Sequence, residues 1–294
     1  MEAEGAGRTS PAGPGAGGAG QAWALEVEEV CFSYEDGTQA LRGATLRVPA
    51  GARMALIGPN GAGKSTLLLH LNGLYSPSAG RVRVLGRELG PADRRWARRQ
   101  VGLLFQDPDD QLFCATVEED VGFGPANLGL EGEELSRRVR EALEAVGMWE
   151  LRGRAPSALS LGEKRRAALA GVLALHPRIL ALDEPAAHLD ARGRAQLLDL
   201  LGRAAPEGLT FVMATHDVDF AAEWADRVAV MQAGRVVAQG GRELLADADL
   251  LQGSGLEPPT VLRLFCGLSP ATPLTLAEGR RLLAEMAARR GSGS

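Results

Sequence analysis

The sequence predicts an α/β fold: a parallel sheet covered by helices on both faces, with an antiparallel sheet near its start. Short, wholly apolar runs at Met54–Ile57, Val101–Phe105, Ile179–Leu182 and Phe211–Ala214 alternate with helix-like stretches. Strands that are apolar on both faces belong to buried parallel sheets. Leu25–Tyr34 and Ala44–Val48 instead half-alternate between apolar and polar residues, as exposed antiparallel strands do. A third observation marks the centre of the fold. The first apolar run opens into a glycine-rich loop, and a helix is expected over Thr66–Leu74.

The remaining elements follow in chain order. Residues 1–22 are rich in Gly, Ala and Pro and are expected to form a flexible tail. Glu35-Asp36-Gly37 reads as a turn, and Arg94–Gln100 as a basic helix with a solvated face. Residues 131–147 place Leu135, Val139, Leu143 and Val146 on one helical face. A helix over Leu161–Leu175 is stopped by Pro177, and another is expected near 191–203. Val228–Met231 and Val236–Ala238, joined at Gly234, form a closing hairpin. Past Gly241 the composition shifts. A helix is expected over Leu244–Leu251, breaks at Pro258-Pro259 and Ser269-Pro270, a last helix over Leu276–Ala288, and a tail over Gly291–Ser294. The chain thus divides into a tail (1–22), a main domain (23–240, with a helical part near 107–175) and an appendage (241–294).

Composition narrows the class. A chain of 294 residues fits one to two domains. Its 45% apolar and 23% charged residues suit a soluble globular protein. The net charge of −5 argues against nucleic-acid binding through bulk charge. Cys31, Cys114 and Cys266 are too scattered for a disulfide framework or a zinc ribbon, and they fit a reducing compartment. His70, His176, His188 and His216 never fall at metal-ligand spacing. No apolar run reaches the roughly 20 residues that span a bilayer. Glu2 and Glu4 do not suit a signal peptide. The chain is therefore expected in the cytoplasm, or at a membrane only through partners.

Gly58-Pro59-Asn60-Gly61-Ala62-Gly63-Lys64-Ser65-Thr66 fits the phosphate-binding pattern G-x-x-x-x-G-K-[ST], with an apolar strand before it and a helix after it. Its glycines let backbone N–H groups converge on an anion, and the helix N-terminus adds partial positive charge. Lys64 supplies a full charge to the outer phosphates, and the Ser65 hydroxyl suits Mg²⁺. Ile179–Leu182 runs into Asp183-Glu184. Residues at such strand ends face the ligand crevice of an open α/β sheet. Asp183 is placed to hold Mg²⁺ through water, and Glu184 to orient or deprotonate the attacking water.

Other residues fall in a telling order. Ser160 and Gly162 open a basic helix one element before Asp183. His216 ends the apolar strand after Glu184. Tyr34 lies upstream of the phosphate loop, and Gln106 ends the strand between them. This set, over roughly 24–240, resembles the ATP-binding cassette family. The resemblance implies a P-loop NTPase with a RecA-like parallel-sheet core, an antiparallel β subdomain, a helical subdomain and here a small C-terminal appendage. It implies ATP and Mg²⁺ as ligands. Tyr34 would stack on adenine, Gln106 would sense Mg²⁺ and the membrane partner, and His216 would contact the γ-phosphate. Ser160 and Gly162 belong to the family's signature motif, and Asp190 to the loop that crosses to a second subunit. Two such cassettes would sandwich two ATP molecules head to tail.

A finer likeness is carried by Gln106-Asp107-Pro108-Asp109-Asp110-Gln111-Leu112-Phe113, Thr116–Val121, Phe123-Gly124-Pro125, His70–Leu74, Gly162–Arg166 and Leu256-Glu257-Pro258-Pro259. These resemble the ATPase subunits of cobalt-type and energy-coupling-factor importers. The likeness implies peripheral attachment to the cytoplasmic face of the membrane. It also implies a membrane-embedded coupling subunit, a substrate-capture subunit and a second cassette as partners, and uptake of cobalt, nickel or a vitamin. In homologous cassettes the C-terminal tail serves in pairing, which is the expected role of 241–294. The acidic Asp107, Asp109 and Asp110 are expected to receive an arginine-bearing helix of the coupling subunit. The pattern departs at Leu161, where a glycine is usual, and at Pro185-Ala186-Ala187-His188-Leu189-Asp190, where His188 would protrude. A rival reading, a cassette acting on nucleic acid or the ribosome, lacks its marks: the interval from Lys64 to Ser160 holds no extended heptads, and the chain carries one phosphate loop. Glu184 opposes a third reading, a catalytically dead regulatory cassette.

Overall fold

The computed structural model describes residues 22–204 and 208–291. The expected N-terminal tail lies outside the described residues except at its last position, as does the C-terminal tail after Gly291. Strand β1 (Trp23–Ser33) turns through Glu35-Asp36-Gly37 into β2 (Gln39–Pro49). β3 (Arg53–Ile57) leads through the glycine loop to α1 (Lys64–Leu71), followed by β4 (Ala79–Val84) and β5 (Arg87–Glu88). Next come α2 (Arg94–Gln100) and β6 (Val101–Leu104), then α3 (Val117–Asn127), α4 (Gly132–Ala145) and α5 (Leu161–Leu173). β7 (Ile179–Asp183), α6 (Ala191–Ala204), β8 (Thr210–Thr215) and α7 (Val218–Trp224) precede the hairpin β9 (Arg227–Gln232) and β10 (Arg235–Gly241). The appendage holds α8 (Ala248–Gly253), α9 (Thr260–Phe265) and α10 (Leu276–Gly291).

One sheet has six strands in the order β10-β9-β3-β8-β7-β6, parallel except for the edge strand β10. The other is antiparallel, in the order β2-β1-β4-β5. Because successive strand residues face opposite ways, each apolar strand of the parallel sheet feeds two cores. Ile57, Leu180, Leu182 and Met213 join the core under α5. Leu56, Ala181, Val212 and Ala214 join the core shared with α1 and the antiparallel sheet. That double duty explains why these strands carry no polar alternation.

Several expectations need correction. β1 is an interior strand, not an exposed one: it lies between β2 and β4, and Leu25, Val27 and Val30 are fully buried. α1 starts at Lys64 and ends at Leu71, since Asn72 caps it. α5 ends at Leu173, because His176 at φ +49° turns the chain before Pro177 reaches it. Leu244–Leu251 is not one helix. A 3₁₀ turn over Arg242–Ala246 precedes α8, and the Asp247 side chain between them accepts the Leu250 N–H at 2.9 Å. The face of α2 is not merely solvated. Arg95 and Arg99 donate to the carbonyls of Asn127 and Leu128, at 3.1 and 3.0 Å, and so satisfy the C-terminal end of α3.

Candidate functional site

The phosphate loop runs between the C-terminal end of β3 and α1. Gly58 passes so close to β9 that a Cβ there would lie 2.3 Å from the Met231 carbonyl oxygen. Gly63 adopts φ +101°, and a Cβ there would lie 2.6 Å from the Ala40 carbonyl oxygen, so both positions demand glycine. Gly63 also leaves α1 without a side-chain cap. The first N–H groups of the helix therefore remain available to an anion. Around the loop is a cleft of about 510 Å³ walled by Tyr34, Asn60, Lys64, Ser65, Gln106 and Glu184. Gly61, Ala62, Gly63 and Thr66 also line it, whereas Gly58 and Pro59 form the base of the loop.

Lys64 is buried. Its Nζ donates to the carbonyls of Gly58 at 2.7 Å and Pro59 at 3.2 Å, and stands 3.4 Å from Glu184 Oε1. Glu184 collects contacts from three directions. His216 Nδ1 lies 2.9 Å from Oε1, the Thr215 hydroxyl donates to Oε2 at 3.2 Å, and Lys64 approaches from the loop. Its backbone sits at φ +44°, a conformation a non-glycine residue adopts only when its surroundings hold it there. The bond from Glu184 N–H to the Ala214 carbonyl, 2.9 Å, supplies part of that hold. Burial pushes the Asp183 carboxyl above its ordinary range, opposed by a hydrogen bond from Ser65. Oδ1 of Asp183 is buried without a partner among the described residues.

The Tyr34 hydroxyl and the Thr66 hydroxyl are 2.7 Å apart. The Tyr34 ring meets Phe32 edge-on at 5.2 Å and Tyr75 at 5.9 Å, so the aromatic wall of the cleft is braced from behind. Ser160, Gly162 and Asp190 are not brought to this cleft in the same chain. Ser160 caps α5: its hydroxyl donates to Glu163 Oε2 at 2.7 Å and accepts the Glu163 N–H at 3.4 Å. Gly162 lies beside a separate hollow between α4 and α6. Asp190 accepts the Gly193 N–H at 2.7 Å. His188 is exposed, as expected. In the acidic loop, Asp109 is already paired with Lys164 at 2.6 Å, while Asp110 remains exposed. The sequence reading missed Thr38, Gln39 and Ala40, which wall the cleft, and Thr215. Their one sequence signal is adjacency, to Tyr34 and to His216.

These elements define a nucleotide-hydrolysing P-loop cassette. The ABC transporter family profile matches residues 41–187. The chain is 50% identical over 262 residues to the energy-coupling factor transporter ATP-binding protein EcfA of Carboxydothermus hydrogenoformans, covering 88% of this chain and 97% of that one. It is 48% identical over 253 residues to the cobalt import ATP-binding protein CbiO of Rhodobacter capsulatus, covering 85% and 90%. Among solved structures, CbiO1 of Clostridium perfringens, part of the CbiONQ transporter complex, superposes with a TM-score of 0.69 at 38% identity, over 78% of this chain and 96% of that one. A dimeric ATP-binding cassette in a post-hydrolysis state with ADP and Pi gives a TM-score of 0.67 at 26% identity, over 74% and 98%. The chain belongs to the ABC transporter ATP-binding family, in its energy-coupling-factor and cobalt-import branch. It binds and hydrolyses ATP as the ATPase subunit of a transporter of this type.

Proposed function

We propose that this cassette uses ATP hydrolysis to energise uptake of a transition metal ion, cobalt or nickel. It would act at the cytoplasmic face of the membrane through a coupling subunit and a substrate-capture subunit. The likeness to CbiO supports the metal, and the CbiONQ complex supports the membrane partners. No helix among the described residues is long and apolar enough to cross a membrane, so contact with it runs through those partners.

The observation that carries the mechanism is the convergence of Lys64, Thr215 and His216 on Glu184 at the rim of the phosphate cleft. Tyr34 stacks on adenine. The loop N–H groups and Lys64 bind the phosphates, Lys64 exchanging the Gly58 and Pro59 carbonyls for phosphate oxygens. Glu184 accepts a proton from water as the water oxygen bonds to the γ-phosphorus and the bond to the β,γ-bridging oxygen breaks, releasing ADP. His216 touches the γ-phosphate and holds Glu184 in place. Ser65, Gln106 and Asp183 would hold Mg²⁺. The unpartnered, buried Asp183 Oδ1 and its Ser65 bond fit such an ion, which when bound neutralises phosphate charge. Ser160 and Asp190, exposed, and Gly162, half-buried, all lie away from their own cleft and are supplied to the cleft of a second cassette. The expectation for the appendage, pairing with that second cassette, is retained. Exposed Phe113 and Phe123, edge to face at 4.8 Å, with exposed Asp110, form the surface for the coupling subunit.

Glu184→Gln tests the reading. The variant is expected to bind ATP, to accumulate as an ATP-bound dimer in sedimentation, and to hydrolyse at least a hundredfold more slowly. Undiminished turnover would remove Glu184 as general base.

A further inference from the structure

The Leu256-Glu257-Pro258-Pro259 segment takes no part in the mechanism above, yet it lies beside the phosphate loop. The chain turns at Gly255, φ +77°, where a Cβ would sit 3.8 Å from Pro59. Gln232, at the end of β9, donates to the Gly253 carbonyl at 2.7 Å. Leu256, Pro258 and Pro259 are buried, and Leu256 belongs to the main core. From this anchored segment Thr260, the first residue of α9, grips Asp219. Its N–H donates to Oδ1 at 2.8 Å and its hydroxyl to Oδ2 at 2.6 Å. Both oxygens of Asp219 are thus taken by the appendage.

Asp219 lies on the first turn of α7, three residues after His216. His216 itself is half exposed, its side chain at 53%, so burial does not fix its direction. It is held in front by Glu184, and its neighbour Asp217 pairs with Arg194 of α6 at 2.5 Å. Asp219, one turn further on, is held by Thr260. A hollow of about 320 Å³ bounded by Pro59, Asn60, His216, Asp219, Gly255 and Arg263 joins the phosphate loop, the histidine corner and the appendage.

We propose that the Thr260–Asp219 clamp makes the C-terminal appendage a positioning strap for His216, so that the appendage sets the rate of phosphate cleavage without touching the nucleotide. The inference rests on the role given to His216 above. Thr260 and Asp219 are positioning residues. Releasing them lets the first turn of α7 fray and His216 leave the direction in which it meets Glu184.

The test uses the full chain and steady-state ATP hydrolysis. Thr260→Val removes only the hydroxyl bond, and Asp219→Asn, an isostere, weakens the clamp from the other side. Each is expected to lower kcat about threefold to tenfold, the range that follows from losing the net contribution of one ordinary, solvent-exposed hydrogen bond. KM and ATP affinity in EDTA are expected to stay within about twofold, since the phosphate loop is intact. Thr260→Ser is expected to restore kcat. On a His216→Ala background, Thr260→Val is expected to slow the residual rate no further, because the two act as one unit. Wild-type kcat in both Thr260→Val and Asp219→Asn, with His216→Ala impaired, would overturn the strap and leave the role of His216 standing. Wild-type kcat in His216→Ala would overturn both. A loss in Thr260→Val that Thr260→Ser fails to rescue, or that appears in KM, would also overturn the strap. If Thr260→Val does not fold, Asp219→Asn decides.

Discussion

At the scale of the residue, the site is built from groups that the rest of the molecule would prefer otherwise. Asp183 is ionised only against the cost of burial, which raises its pKa. A carboxyl whose folded pKa is raised contributes stability that is present below its unfolded pKa and lost as pH rises through the folded value. Asp183→Asn removes that cost. It is expected to raise the melting temperature of the nucleotide-free protein by about 2 °C at neutral pH, on the order of 1 kcal/mol at this size, while abolishing Mg²⁺-dependent turnover. Scanning calorimetry beside a hydrolysis assay checks both halves. Tyr34 makes a different trade. It walls the cleft while its hydroxyl is tied to Thr66. Tyr34→Ala is expected to weaken ATP binding about tenfold or more, as loss of one base–aromatic stack does, measurable by calorimetric titration. These residues were legible because each motif is contiguous or ends an apolar strand. Thr38–Ala40 and Thr215 were not, since they reach the site only when the β1–β2 turn folds over the loop and when β8 pairs beside β7.

At the scale of the element, apolar period and glycine punctuation located most strands of the parallel sheet and the helices α2, α4, α5 and α6. They failed where packing overrides local signals. α3 is not among the helices the sequence predicts; it carries Gly122, Gly124 and Pro125, but Thr116 and Glu119 form a capping box at its start. A side chain at Gly124 would meet Leu175 at 2.8 Å, so that residue is there for close approach, not for a turn. β4 and β5 were missed because Gly80, Gly86 and exposed arginines hide their alternation. Two expectations belong to this scale. Gly102→Ala in β6 would bring a methyl within 2.4 Å of Val172 Cγ1 and 3.1 Å of Pro177. It is expected to cost about 1–3 kcal/mol, read by denaturant melts. Ser160→Ala is expected to cost about 1 kcal/mol through the lost cap of α5, even in the nucleotide-free monomer. Stability measured without ATP therefore separates the structural loss from any effect on pairing.

At the scale of the whole molecule, two cores meet at one sheet, and the strand ends that carry the candidate site emerge between them. The basic helix α2 ties the core to the end of α3 through Arg95 and Arg99, so the helical layer is linked to the sheet by polar bonds as well as by packing. The appendage was the least legible region. Its breaks at Pro258-Pro259 were plain, but its seat against Pro59 and Asp219 depends on contacts with residues far back in the chain.

The location of Ser160 outside its own cleft has a kinetic consequence. If each cleft borrows that serine from another molecule, the free subunit has no fixed specific activity. Its rate of ATP turnover should rise with the square of protein concentration when dilute and become first order only when dense. Tethering two copies to one membrane assembly would abolish that dependence, so in the intact transporter the reaction should be first order in complex at every dilution.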